Sequence, residues 1–114
     1  MFLGRVIGTV WATEKDPSLE GLKLLVIREV DLDYKSKSKF VVAVDTVQAG
    51  VGEIVLVASG SSARQTEATR NKPVDAVTMA VVENLAVRDE GELASEYEAR
   101  RAPIQAGLDA QPEN

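Results

Sequence analysis

The chain has 114 residues, enough for one domain with a single core and too few for two. It contains neither cysteine nor histidine, which excludes disulfides, thiolate nucleophiles, imidazole bases and the usual zinc and copper ligands. Thirteen basic against eighteen acidic residues give a net charge of -5, so the chain as a whole is repelled by phosphate backbones.

Hydrophobic residues make up 45 % and aromatics only 4 % of the chain, so the core is expected to consist of Val, Leu, Ile and Ala. A globule of this size has a radius of gyration of about 13 Å. No apolar run approaches the roughly 18 residues of a membrane span, and no basic-apolar-small leader opens the chain. The expectation is a soluble, cytosolic protein.

Five runs rich in β-branched residues, separated by Gly, Pro and charged clusters, predict a small all-β barrel or sandwich. The first is Phe2 to Trp11, where Gly4 and Gly8 point to a bulge, a corner or the close approach of another backbone. Thr13 to Gly21 reads as a loop, and the second run is Leu22 to Val30. Asp31 to Lys39 is polar and predicts a hairpin tip; its alternating Lys35, Lys37 and Lys39 fit a solvated loop better than a basic patch. The third run is Phe40 to Val44. Asp45 to Gly52 follows, with glycines that suit turns better than a phosphate cradle, because neither a Lys-Ser or Lys-Thr pair nor a helix comes after them. The fourth run is Glu53 to Ala58.

Gly60 to Asn71 is the one clear helical candidate before the tail. Ser62 and Gln65 have the spacing of a capping box, and Asn71, Lys72 and Pro73 stop the helix. The fifth run is Asp75 to Val87. Beyond it, Glu92 to Gln105 has helical spacing with Leu93 and Tyr97 on one face, Pro103 is expected to break it, and the end from Gly107 is expected to be disordered. Seven acidic residues against three basic ones from Arg88 onward place most of the net charge in this tail. The body before it is nearly neutral, which favours association.

Little chemistry presents itself. Ser61 or Ser62 lacks any base except a lysine such as Lys72. Asp45, Glu53 and Asp75 each open or close a β run, as turn and cap acids do. A five-stranded barrel also suggests the oligonucleotide-binding fold, which binds single strands through a basic groove and stacking rings. Here the rings are Phe2, Trp11, Tyr34, Phe40 and Tyr97, scattered one to a segment. Trp11, the single tryptophan, is either an ordinary core or rim residue or an anchor at a subunit contact.

Three stretches carry a resemblance: GRVIGTVWATEKDPSLEGLKLLVI (Gly4 to Ile27), DTVQAGVGEIVLVASGSSARQT (Asp45 to Thr66) and KPVDAVTMAVVENLAV (Lys72 to Val87). In the combination of GxVxGTV, AGVGE, GSSAR and PVDA the chain resembles the vertex proteins of bacterial microcompartments, the pentamers that cap carboxysome shells and the shells of ethanolamine- and propanediol-degrading organelles. The resemblance covers the first three quarters of the chain in unbroken order.

It implies a non-enzymatic structural protein: a small five-stranded β-barrel related to the oligonucleotide-binding fold, with one short helix, assembled as a homopentamer around a narrow pore. Hexagonal tiles form a flat layer that closes only where pentagons replace hexagons. The implied partners are therefore hexameric and trimeric shell proteins, without cofactor, metal, nucleic acid or membrane. Residues 1–87 would be the vertex domain and 88–114 an acidic extension, partly helical or disordered. By the resemblance, Gly60, Ser61, Ser62 and Ala63 match the loop near the five-fold axis. Arg64 matches a subunit-contact arginine with Asp75 as candidate partner, and Trp11, Gln48 and Gly50 complete the implied contact set. Gln48 stands where the family typically has glycine. The rival reading is a nucleic-acid or small-ligand binding module on the same barrel.

Overall fold

Alternating burial along the apolar runs closes them into a barrel. The computed structural model describes residues 1–109. Its elements are β1 (Phe2–Thr9), β2 (Leu24–Val30), β3 (Ser36–Asp45), β4 (Ile54–Ser59), β5 (Ala76–Val82) and α1 (Glu90–Asp109). The strands close in the order β1-β2-β3-β5-β4. All pairings are antiparallel except β3 with β5, which run parallel and meet only at Val44 with Val77 and Asp45 with Thr78. This is the small five-stranded barrel expected from the sequence, with one parallel pairing that the sequence reading did not specify.

Successive residues of a strand face opposite sides of a sheet, and two cores result. Inside the barrel lie Val6, Leu25, Ile27, Ala43, Ala49, Val55, Val57 and Ala76. On its outside, Val44, Ala58 and Val77 form a second cluster with Ala63, flanked by Leu22, Leu24 and Val74. The segment between β4 and β5 therefore acts as a flap over the outer wall, and Ala63 is its fully buried peg.

Both glycines of β1 act as the sequence suggested. A Cβ on Gly4 would stand 2.3 Å from Ile27 Cγ2 and 3.1 Å from the Arg28 carbonyl oxygen, so β1 approaches β2 there more closely than any side chain allows. The β1–β2 register shifts between Val6 and Gly8, which leaves Ile7 on a bulge and bends the strand.

Several expectations are corrected. β3 begins at Ser36, so Lys37 and Lys39 belong to the strand and the hairpin tip is shorter. Lys37 lies 3.6 Å from Glu29, and Lys39 Nζ sits 4.8 Å from the Phe2 ring centre. The tip is set by Asp31, whose carboxylate accepts the N–H groups of Lys35 and Asp33 and is held below its ordinary pKa by those bonds.

In place of a two-turn helix after β4 there is one 3-10 turn, Gly60–Arg64, with Ser59 at its N-cap and no side-chain cap. Hydroxyls divert the backbone: Thr69 Oγ1 donates to the Ala63 carbonyl at 2.5 Å, and Thr66 Oγ1 accepts the Thr69 N–H at 3.1 Å. Such local bonds compete with a helix. Asn71, at φ 58°, then turns the chain back.

The C-terminal helix, in turn, runs through Pro103 and includes Gly107 and Leu108. Pro103 removes one backbone donor, a cost of about 3 kcal/mol, and the helix resumes beyond it. It also begins at Glu90, two residues before the expected start, where Asp89 Oδ1 accepts the Glu92 N–H at 2.9 Å in an Asp-x-x-Glu spacing. The remainder of the expected disordered end lies outside the described residues. Among the described residues α1 makes no substantial packing contact with the barrel. They therefore extend over 77 Å with a radius of gyration of 21.8 Å, well above that of a globule of this size. No helix among the described residues is long and apolar enough to cross a membrane.

Gly4→Ala is expected to cost about 1 to 3 kcal/mol, because the new methyl must displace Ile27 in a packed wall. Urea unfolding of the purified variant measures this, and an unchanged midpoint would refute the close approach as a constraint.

Candidate subunit-contact surface

The loop after β3 is built around one buried carboxylate. Asp45 Oδ1 accepts the N–H groups of Val47 at 3.1 Å and Ala49 at 3.2 Å and lies 3.2 Å from Thr78 Oγ1. Lys23 Nζ stands 3.4 Å from Oδ2, an ionic contact that leaves this buried oxygen without an aligned hydrogen bond. Burial pushes the Asp45 carboxyl up, but the Val47 and Ala49 amides, the Thr78 hydroxyl and the Lys23 ammonium outweigh it and hold the group below its ordinary value. The bends that these bonds impose put Gln48 at φ 59°. Glycine is the residue that adopts this left-handed backbone freely, and Gln48 adopts it against the usual side-chain preference. Ala49 is thereby driven into the core, while Val51 is 66 % exposed. Gly50 N–H donates to Glu53 Oε1 at 2.6 Å.

The flap places the next set of residues. Gly60 has φ 65°, and its N–H donates to the Asp75 carbonyl at 2.8 Å, which fixes the start of the flap to the start of β5. Gly60, Ser61 and Ser62 are exposed, whereas the Ala63 methyl faces the protomer's own outer cluster. Arg64 Nη1 donates to the Val74 carbonyl at 3.3 Å. Arg64 is thus bonded to the residue before Asp75, and among the described residues no ion pair joins Arg64 to Asp75 within the protomer. Thr69, which sequence reasoning missed, locks the flap from beneath; a buried threonine has no signature in a single sequence.

Trp11 is 92 % exposed, with its indole N–H donating to Thr9 Oγ1 at 3.0 Å. It lines a groove with Val10, Lys23 and Leu24. Leu24 is shared with a second, apolar groove that includes Val42, Val74 and Asp75. Pro73 is shared in turn with a third, which holds Ser61, Arg64, Arg70 and Lys72. The structure thus brings Trp11, Asp75, Arg64 and Ser61 onto one continuous band. Gln48 and Gly50 lie outside it, on the loop whose Ala49 carbonyl accepts from Lys23 Nζ at 3.5 Å.

As chemistry the arrangement offers little. Glu53 caps Gly50, Asp45 caps its own loop, and among the described residues no three carboxylates converge. Ser61 and Lys72 share a groove with no hydrogen bond between them. The rings form no stacking platform: Phe2 packs toward the core and Phe40 lies against Arg28.

Fold and surface together define a small closed-barrel protein with a run of adjoining surface grooves. Comparison with known proteins places it more closely. The family model described as "Ethanolamine utilisation protein EutN/carboxysome" matches residues 1–83. The carboxysome shell vertex protein CcmL of Nostoc sp. is 43 % identical over 90 residues, covering 78 % of this chain and 89 % of that protein. The bacterial microcompartment shell vertex protein PduN of Salmonella typhimurium is 45 % identical over 89 residues, 75 % of this chain and 98 % of that protein. The solved structure of GrpN from Rhodospirillum rubrum, described as a pentameric microcompartment shell protein, superposes with a TM-score of 0.68 at 42 % identity, covering 78 % of this chain and all of that one. The chain belongs to the EutN/CcmL family of bacterial microcompartment shell vertex proteins, a family of structural proteins and not of enzymes.

Because the Asp45 pKa is lowered by folding, its stabilisation is present above the unfolded carboxyl value, about 3.9, and is lost as pH falls through the folded value. Asp45→Asn is expected to flatten the acid limb of the stability profile below about pH 4. Urea unfolding from neutral to acid pH checks this, and parallel profiles for the two proteins would contradict it.

Proposed function

We propose that this chain forms a homopentamer that caps the vertices of a microcompartment shell and closes the polyhedron, with hexameric and trimeric shell proteins as its neighbours. Residues 1–87 are the vertex domain and 88–114 an appended extension. The observation that carries the reading is the band that begins at Trp11. A tryptophan 92 % exposed, in a groove with Val10 and Leu24 that adjoins the apolar groove of Val42 and Val74, is a surface that a subunit contact buries.

A ring contact joins two different patches. The band with Trp11, Arg64 and Asp75 is one, and the projecting Gln48 to Val51 loop supplies contacts to the other. Gly60, Ser61 and Ser62 line the central opening with backbone and hydroxyl groups, and Ala63 holds that loop in place from inside the protomer. Arg64 pairs with Asp75 of the adjoining subunit.

Native mass measurement is expected to give five chains per particle. Trp11→Ala is expected to cost about 2 kcal/mol or more per contact, and Arg64→Ala about 3 to 5 kcal/mol if its charge partner is left buried. Both would shift rings toward free chains on dilution. Co-production with hexameric tiles is expected to convert open sheets or tubes into closed particles. Single chains that persist at high concentration, or tiles that stay open, would overturn the reading.

A further inference from the structure

The helix α1 lies outside what the family accounts for. The family model ends at residue 83, and the matched region already spans 89 % and 98 % of the CcmL and PduN relatives. The helix stands away from the barrel, tied near its start by the ion pair of Arg88 with Glu96. Yet it is not polar all round. Leu93, Tyr97, Ile104 and Leu108 are 41, 58, 67 and 55 % exposed, and with 3.6 residues per turn they fall within an arc of about 60°. A helix of 20 residues carrying four large apolar side chains on one unpartnered stripe is built to be covered.

We propose that the α1 helices of one ring pack against one another along this stripe, as a parallel bundle over one face of the ring. The inference rests on the pentameric reading. Three observations favour second copies of this helix over a foreign partner. Cyclic symmetry delivers every α1 to the same face with the same polarity. The connecting residues 83–89 restrict each helix to a search radius of roughly 15 Å, which holds its neighbours at millimolar effective concentration. Each flank of the stripe carries charges of both signs, Glu96 with Arg100 on one side and Glu90 with Arg101 on the other, so parallel packing sets no excess of like charge across a junction. Within its own chain Arg101 donates to the Tyr97 hydroxyl at 3.0 Å and lies over its ring. The apolar spacing repeats after eleven residues, Leu93 to Ile104 and Tyr97 to Leu108, the period of a right-handed supercoil.

The chain has no cysteine, so Ile104→Cys in the full-length protein provides one reporter thiol on the stripe, and Ser95→Cys one on the opposite side of the helix. With a short thiol-reactive cross-linker, Ile104→Cys rings are expected to yield linked subunit pairs at least roughly tenfold faster than Ser95→Cys rings. Adding Leu93→Asp should abolish that difference while native mass still reports the ring. Equal rates in intact rings overturn the proposal, including the case in which the stripe serves a partner from outside. Absence of rings overturns the pentameric reading first, and this proposal with it.

Discussion

The barrel is closed at its weakest seam by side chains. β3 and β5 meet in parallel over only two residue pairs, and a hydroxyl and a carboxylate reinforce the join. Thr78 Oγ1 accepts the Thr46 N–H at 3.2 Å, and its single proton is shared between the Val44 carbonyl at 3.1 Å and Asp45 Oδ1. Thr46 returns a bond from its own hydroxyl to the Thr78 carbonyl at 2.6 Å. All of this lies in a region where an unmade bond costs about 1 to 3 kcal/mol. The same Asp45 shapes the loop that follows, so barrel closure and the display of Gln48 to Val51 depend on one carboxylate.

On the other side of β5 the seam has a second consequence. Val44 and Val77, paired across it, turn their side chains outward, where they are covered by Ala63 and Val74 of the flap. The flap carries Ser61, Ser62 and Arg64 and borders Asp75. The residues assigned to ring contacts and pore are therefore mounted on a surface whose footing is the closed barrel.

The sequence made the barrel legible because each strand is a β-branched run bounded by turn residues, and because Gly4 and Gly8 interrupt β1 where the backbone must approach or bulge. It was less legible where a few hydroxyls decide. The Ser62 and Gln65 pattern is a sound helix signal in isolation, yet Thr66 and Thr69 take the backbone bonds that a helix needs, and their roles depend on contacts made only after folding. Pro103 misled in the opposite direction: a penalty on one hydrogen bond does not end a helix whose start is capped by Asp89. The residues proposed for the contact were readable only through the resemblance, since composition says nothing about Arg64 or Asp75. Trp11 is the exception: a lone tryptophan at the end of a strand left a core or rim place and a subunit contact open, and its exposure excludes the core.

The outer cluster also makes assembly a test of folding. Until β3 and β5 join, Val44 and Val77 present no common footing, the flap has nothing to grip, and Arg64 and Ser61 are not held in place. In the proposed ring, a copy whose barrel had not closed would therefore lack the surface by which its sisters recruit it, and the burial of Ala63 ties that surface to a finished fold.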